Sequence, residues 1–300
     1  MAKIDYTWKR FWAPRGALVK LDTDGFLCDP DSTYGRDFNP DLMSMSELLG
    51  IQCLILLGEP GIGKTHELNL AYRVCRATAR DVGNEALFRD LRAYQTDAFL
   101  RQRIFESEEF LEWRRGTHHL HLFLDGLDEC LLRIDMATNL LAQELKECPV
   151  GRLSLRLACR SAEWRHSFEE GLKHIFQVDP VSVYTLAPLR RVDVEAAVER
   201  EGLDVAEFMS GIQTSRSAPF AMKPVTLRML MGIFDQQASF PLTLAEVYEK
   251  GCLCLASEPN ESRLESKQLP RTPPELLLAV ASSRPLKNPL DTHGTIALVS

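Results

Sequence analysis

Between residues 50 and 189 the chain alternates short apolar runs with longer amphipathic ones. CLILLG (53–58) is an unbroken apolar run of strand length, and residues 64–80 place apolar side chains at helical spacing. ALFRDLRAY (86–94) alternates loosely enough to predict a second strand, and a polar helical stretch follows as far as residue 115. HLHLFLD (119–125) predicts a third strand, MATNLLAQELKEC (136–148) a helix, LSLRLACR (153–160) a fourth strand and SVYTLAPL (182–189) a fifth. Strands that alternate with helices require crossover connections. The pattern therefore predicts an α/β fold, a parallel sheet with helices on both faces.

After Pro188 the strand pattern stops. RRVDVEAAVEREG (190–202), DVAEFMSGIQ (204–213), KPVTLRMLMGIF (223–234) and TLAEVYEKGCLCLASE (243–258) all carry helical periodicity and are separated by Gly, Pro and Ser. They predict a small helical lid domain over 190–256. Residues 257–300 are polar and Pro-rich with one short apolar helix at 275–281, a partial or degenerate C-terminal segment. Residues 1–49 are crowded with Asp, Pro, Gly and Ser and predict an irregular lead-in. Its aromatics, Tyr6, Trp8, Phe11, Trp12, Phe26 and Tyr34, predict that it packs onto the domain at 50–189 instead of trailing as a flexible tail.

A hydrophobic content of 45% and a charged content of 26% are those of a globular chain. The net charge of −7 offers no general basic field, so nucleic acid is not indicated as a partner. No run approaches the roughly 18 apolar residues of a membrane helix, and charges with Pro14 interrupt the N-terminus before a signal core can form. The expectation is a cytoplasmic protein without a membrane partner. Of eight cysteines only Cys252 and Cys254 lie close together, with no second ligand pair for a zinc site. His118, His119 and His121 likewise have no Cys or carboxylate partner nearby in sequence and read as the polar start of a strand.

The chemistry concentrates at the ends of the apolar runs. GEPGIGKT (58–65) satisfies G-x-x-x-x-G-K-[ST], and it sits between a strand and a helix, the setting that makes a P-loop meaningful. Gly58, Glu59, Pro60, Gly61, Ile62 and Gly63 form a loop that can turn its backbone N–H groups toward phosphates, with the helix N-terminus adding positive potential. Lys64 is the cation for the β- and γ-phosphates, and the Thr65 hydroxyl is a ligand for Mg²⁺.

HLFLDGLDEC (121–130) then ends a strand on Asp125 and adds Asp128 and Glu129 within five positions. Like charges that close repel, so a cation explains them better than an arbitrary turn does. Asp125 is the second Mg²⁺ ligand. Asp128 and Glu129 project from the turn after Gly126, and one of them can polarise the attacking water; spacing alone does not rank them. Arg160, at the end of the fourth strand, is placed to sense or stabilise the γ-phosphate, with an ion pair to Glu163 as the plainer alternative.

These residues resemble one family. GEPGIGKT with LFLDGLDE is similar to the NACHT group of STAND signalling NTPases, in which a hydrophobic strand ends in D-G-x-D-E. ACRSAEW (158–164) is similar to the sensor strand with its arginine at Arg160, YTLAPL to the strand leading into the lid, and PFAMKPVTLRMLMGIF to a segment whose proline, Pro224, packs near adenine. The resemblance covers about residues 50–256. It implies an ATP- or GTP-dependent switch, ATP favoured, that is held closed with bound diphosphate, opens on an unknown trigger and self-associates through the NTPase domain. It also implies a setting such as bacterial antiphage defence, with an unknown effector. The family's winged-helix and repeat regions are incomplete or absent in 1–300, so the expectation is a truncated product or one component of a split system. An AAA+-like motor, with Arg190, Arg191 or Arg228 as its second arginine, and a nucleotide-binding scaffold without turnover are the competing readings.

Overall fold

A computed structural model describes Tyr6, residues 8–177, residues 181–237 and Glu246–Val247. The C-x-C pair, the short helix at 275–281 and nearly all of the predicted helix at 243–258 lie outside the described residues.

Two compact units divide these residues. The larger, built from residues 9–19 and 30–187, contains β1 (Phe11–Pro14), α1 (Gly35–Phe38), β2 (Met43–Ser44), α2 (Met45–Leu48), β3 (Cys53–Gly58), α3 (Lys64–Asp81), β4 (Glu85–Asp90), α4 (Asp97–Ile104), α5 (Glu108–Arg115), β5 (Leu120–Asp125), α6 (Ile134–Lys146), β6 (Leu153–Arg160), α7 (His166–Ile175) and β7 (Ser182–Leu186). Its seven-stranded sheet runs β2-β1-β7-β3-β6-β5-β4. The five strands read from the apolar runs are parallel, and β1 and β2 pair antiparallel at one edge.

Period-two alternation sorts the side chains of these strands into two cores. Ile55 and Leu57 of β3, Leu122 and Leu124 of β5, and Leu155 and Leu157 of β6 face Phe110, Trp113, Leu141 and Leu172 from α5, α6 and α7. Leu54, Leu56, Phe123 and Ala158 face the other way, onto Leu68, Ala71 and Cys75 of α3 and onto Trp12. Every side chain of β3 is buried, as a central parallel strand covered on both faces requires. Each buried Leu or Ile contributes about 1.5–3 kcal/mol to holding the strand in place.

Two elements depart from the sequence reading. The lead-in is more regular than its composition predicts, because Phe11, Trp12 and Ala13 are buried as β1 and hydrogen-bond alongside β7. A four-residue strand shows no alternation of its own; its partner lies far along the chain. The second is α7, HSFEEGLKHI, which buries Phe168 and Leu172 on one face.

The smaller unit is helical and takes in Tyr6, Trp8, residues 20–29 and the described residues from Pro188 onward. Here α8 (Arg191–Arg200), α9 (Val205–Thr214), α10 (Ala218–Ala221) and α11 (Pro224–Gln237) share a core of Val194, Val198, Phe208, Ile212, Leu227 and Leu230. Asp204 caps α9 by accepting the N–H of Glu207 at 2.8 Å.

Candidate nucleotide and metal site

In a parallel sheet the strand ends on one edge converge, and ligands bind there. Register puts Gly58 of β3 level with Arg160 of β6, and Asp90 of β4 level with Asp125 of β5. The P-loop, the acidic turn and Arg160 therefore meet on a single edge of the sheet.

The loop's shape follows from its glycines. Gly61 and Gly63 take φ of 73° and 107°, where a side chain is strained, and Gly63 caps α3 in the left-handed region. At Gly58 a Cβ would lie 3.0 Å from Ile62 Cγ2 and 3.3 Å from Lys64 Cδ, so the loop closes over it tightly. Lys64 folds back along the loop, its Nζ donating to the carbonyls of Gly58 at 2.6 Å and Glu59 at 3.1 Å. Burial pulls the Lys64 ammonium below its usual range, and Asp128 and Asp125 push it back up. Pro60 sits at the exposed tip of the loop.

Asp125 is 2% exposed. Burial raises its carboxyl above the ordinary range, opposed by a hydrogen bond from the Thr65 hydroxyl and by the charge of Arg92. Its Oδ2 is buried with no hydrogen-bond partner. A buried carboxylate oxygen left unpaired beside a hydroxyl is a donor set that fits a hard divalent cation such as Mg²⁺.

The turn that follows separates the two remaining acids. Gly126, at φ 72°, swings the chain off β5 into a short 3₁₀ turn, Leu127–Glu129. The Asp128 side chain is 3% exposed and accepts the backbone N–H of Arg160 at 2.8 Å. Arg160 Nε also lies 2.8 Å from Asp128 Oδ2, an ion pair whose angle falls outside hydrogen-bond geometry. Glu129 is 40% exposed and accepts from Arg160 Nη2 at 2.7 Å. The ion pairs of Arg160 thus go to the acidic turn and not to Glu163, and the Glu129 bond raises its guanidinium above the usual value. Burial, reinforced by Asp128, pushes the neighbouring Cys159 thiol far up, so it is inert as a nucleophile.

Three residues of this edge were not singled out by sequence. Asp90, like Asp125, ends a strand on a carboxylate, and Arg92 follows it in a short turn. Arg92 clamps Asp90 with Nε at 2.8 Å and Nη2 at 2.6 Å and reaches Glu129 at 3.9 Å. It lies so close to Gly126 that a Cβ there would come 2.9 Å from Arg92 Cγ. Arg10 of the lead-in is 4% exposed and donates to the P-loop carbonyl of Ile62 at 2.9 Å and to that of Ala187 at 2.7 Å. The strand-ending FRDLR motif could have drawn attention to Asp90 and Arg92; nothing local marks Arg10.

Pro224 opens α11 in the helical unit. Arg190 and Arg191, the candidate motor arginines, are engaged there: Arg190 pairs with Asp29 at 2.9 Å and Asp193 at 2.8 Å, and Arg191 with Asp24 at 2.7 Å and Glu195 at 2.8 Å. His119, just before β5, and His121 within it bring their rings together, with centroids 4.8 Å apart. No helix among the described residues is long and apolar enough to cross a membrane.

No family model matches the chain, and no curated protein matches its sequence. Solved structures with a similar outline include a RuvB variant from Thermotoga maritima (11% identity, TM-score 0.38, covering 66% of this chain and 60% of that one). The Aeropyrum pernix ORC1 protein in complex with DNA is similar at 17% identity and TM-score 0.43, over 71% of this chain and 64% of that one. Domain III of the Thermotoga maritima replication initiation protein DnaA is similar at 14% identity and TM-score 0.39, over 68% and 83%. The chain spans less than two thirds of the RuvB and ORC1 chains it matches.

Proposed function

We propose that this chain is a STAND-type nucleotide switch of the NACHT group that binds ATP in preference to GTP together with Mg²⁺ and hydrolyses it slowly. Its active form self-associates through the NTPase domain in response to a trigger in the cytoplasm, with bacterial antiphage defence or signalling as the setting. The observation that carries this reading is the pinned acidic turn. Arg160 holds both Asp128 and Glu129, and Arg92 holds Asp90 across the same edge. A site whose carboxylates are already engaged by arginines turns over only when those pairs open, which suits a timer better than a motor.

The residues divide as follows. The backbone N–H groups of 58–65 bind the phosphates, and Lys64 exchanges its bonds to the Gly58 and Glu59 carbonyls for phosphate oxygens. Thr65 and Asp125 hold Mg²⁺, which when bound neutralises developing charge on the phosphates. Glu129, the more exposed acid, orients and polarises water once Arg160 turns toward the γ-phosphate. Asp128, buried against the Arg160 backbone, positions that arginine.

Single-turnover hydrolysis by the purified chain tests the reading. The expected result is slow, burst-limited product release, with nucleotide binding abolished by Lys64→Ala. Fast steady-state turnover would favour a motor, and undiminished binding by the variant would remove the P-loop assignment.

A further inference from the structure

A buried cation reaches the P-loop from the start of the chain. β1 pairs antiparallel with β7, Trp12 level with Leu186, so β1 begins on the edge where the parallel strands end. Arg10, the residue before β1, is 4% exposed there. Its guanidinium forks between two main-chain carbonyls: Nη1 donates to Ile62 at 2.9 Å and Nη2 to Ala187 at 2.7 Å. Ala187 is held in turn, its N–H donating to the Phe11 carbonyl at 2.9 Å. One prong of the fork is thus fixed to the sheet, and the other rests on the loop.

The bond to Ile62 bears on the peptide that follows it. A trans peptide is planar, with its carbonyl and its N–H pointing in opposite directions, and the described residues contain no cis bond. Pinning the Ile62 oxygen therefore turns the Gly63 N–H away from Arg10. The rest of Ile62 is held by other contacts: its side chain is 4% exposed in the core with Leu54, Leu56 and Leu68, and its N–H donates to the Glu59 carbonyl at 3.4 Å. None of these holds the Ile62–Gly63 peptide plane, which can rotate about the bonds on either side of it. Gly63, at φ 107°, resists such a rotation less than any residue with a side chain would. A flipped plane would offer a phosphate an oxygen where it needs a donor.

We propose that Arg10 is a positioning residue of the phosphate site, holding the Gly63 N–H, through the Ile62 carbonyl, in the orientation that donates to a nucleotide phosphate. This role rests on the P-loop reading of residues 58–65. It also accounts for the residue type. Arginine presents its N–H groups as a rigid planar fork that spans two carbonyls at once, whereas the ammonium of lysine sits on a flexible stem and fixes no such geometry.

The test compares Arg10→Met and Arg10→Lys with the wild type and Lys64→Ala, all as the full chain, by titrating Mg²⁺-ADP and following the Gly63 amide resonance in ¹⁵N-labelled protein. Arg10→Met is expected to weaken ADP binding about tenfold, and Arg10→Lys about threefold. The displacement of the Gly63 resonance that ADP causes in the wild type should collapse in Arg10→Met even at saturating ADP. A purely structural role would lower the melting temperature yet leave Gly63 responding in full at saturation. Wild-type ADP affinity in a folded Arg10 variant overturns the proposal, as does weakened binding with the full Gly63 displacement. Should Arg10→Met fail to fold, Arg10→Lys decides by the same two readouts. Lys64→Ala separates this role from the reading on which it rests. If the wild type binds ADP no better than Lys64→Ala, the P-loop assignment falls and the role of Arg10 with it; if the wild type binds and the Arg10 variants match it, the positioning role alone falls.

Discussion

Asp125→Asn should stabilise the ligand-free protein while disabling it. The carboxylate is 2% exposed and its Oδ2 has no partner. A buried unsatisfied polar group costs about 1–3 kcal/mol, and more when charged. The Thr65 hydroxyl and the charge of Arg92 offset part of that cost, so a net gain of about 1 kcal/mol is expected from removing the charge, or about 2–4 °C in melting temperature. The sign follows from the raised carboxyl. Because folding favours the protonated form, this group's contribution is most favourable below the unfolded value and declines as pH rises through the higher folded one. The advantage of the variant should therefore grow toward neutral pH and vanish in acid. With Mg²⁺ and nucleotide the order reverses: at a hundredfold excess over Kd the wild-type protein gains about 2.7 kcal/mol, and the variant little. Thermal melts at pH 4 and pH 7.5, with and without Mg²⁺-ADP, measure all four states. A variant that melts lower than wild type without ligand, or that keeps the full Mg²⁺-dependent shift, would refute this account of Asp125.

Glu129→Gln should slow single-turnover hydrolysis by about 10²–10⁴-fold with nucleotide affinity retained, whereas Asp128→Asn should also loosen Arg160 and weaken binding; equal effects from both would deny the division of roles. Gly126→Ala forces a left-handed φ and a clash with Arg92, so a loss of about 1–2 kcal/mol in chemical denaturation is expected, and a neutral result would show that the turn is not constrained. Glu169 of α7 accepts from Arg15 at 2.6 Å and 2.9 Å and from the Trp164 indole at 2.9 Å, and lies 3.1 Å from Lys173. Burial pulls its carboxyl upward, but these donors outweigh it and hold it down at about 2. Its stabilisation is complete above the unfolded value and lost as pH falls toward 2. Glu169→Gln should accordingly cost on the order of 2 kcal/mol at pH 7 after allowing for the exposure of Arg15 and Lys173, with the gap to wild type closing in urea titrations near pH 2.

Much of the sheet and the P-loop was legible because the signals are local. The apolar runs at 53–58 and 153–160 coincide with β3 and β6, and Gly61 and Gly63 mark left-handed backbone that only a turn needs. Alternating strands and helices imply parallel crossovers without knowledge of any contact. What sequence could not rank was Asp128 against Glu129, adjacent residues of similar chemistry. The tertiary structure separates them by packing one against the Arg160 backbone and leaving the other partly in water. The short strand β1, the reach of Arg10 to the Ile62 carbonyl, the clamp of Arg92 over Gly126 and the two unpartnered nitrogens of the buried Arg156 were likewise invisible. Periodicity and glycine geometry are written within a few neighbouring residues. The partner of a buried charge, or its lack of one, is decided by chain segments far apart in sequence that meet only once the sheet has formed.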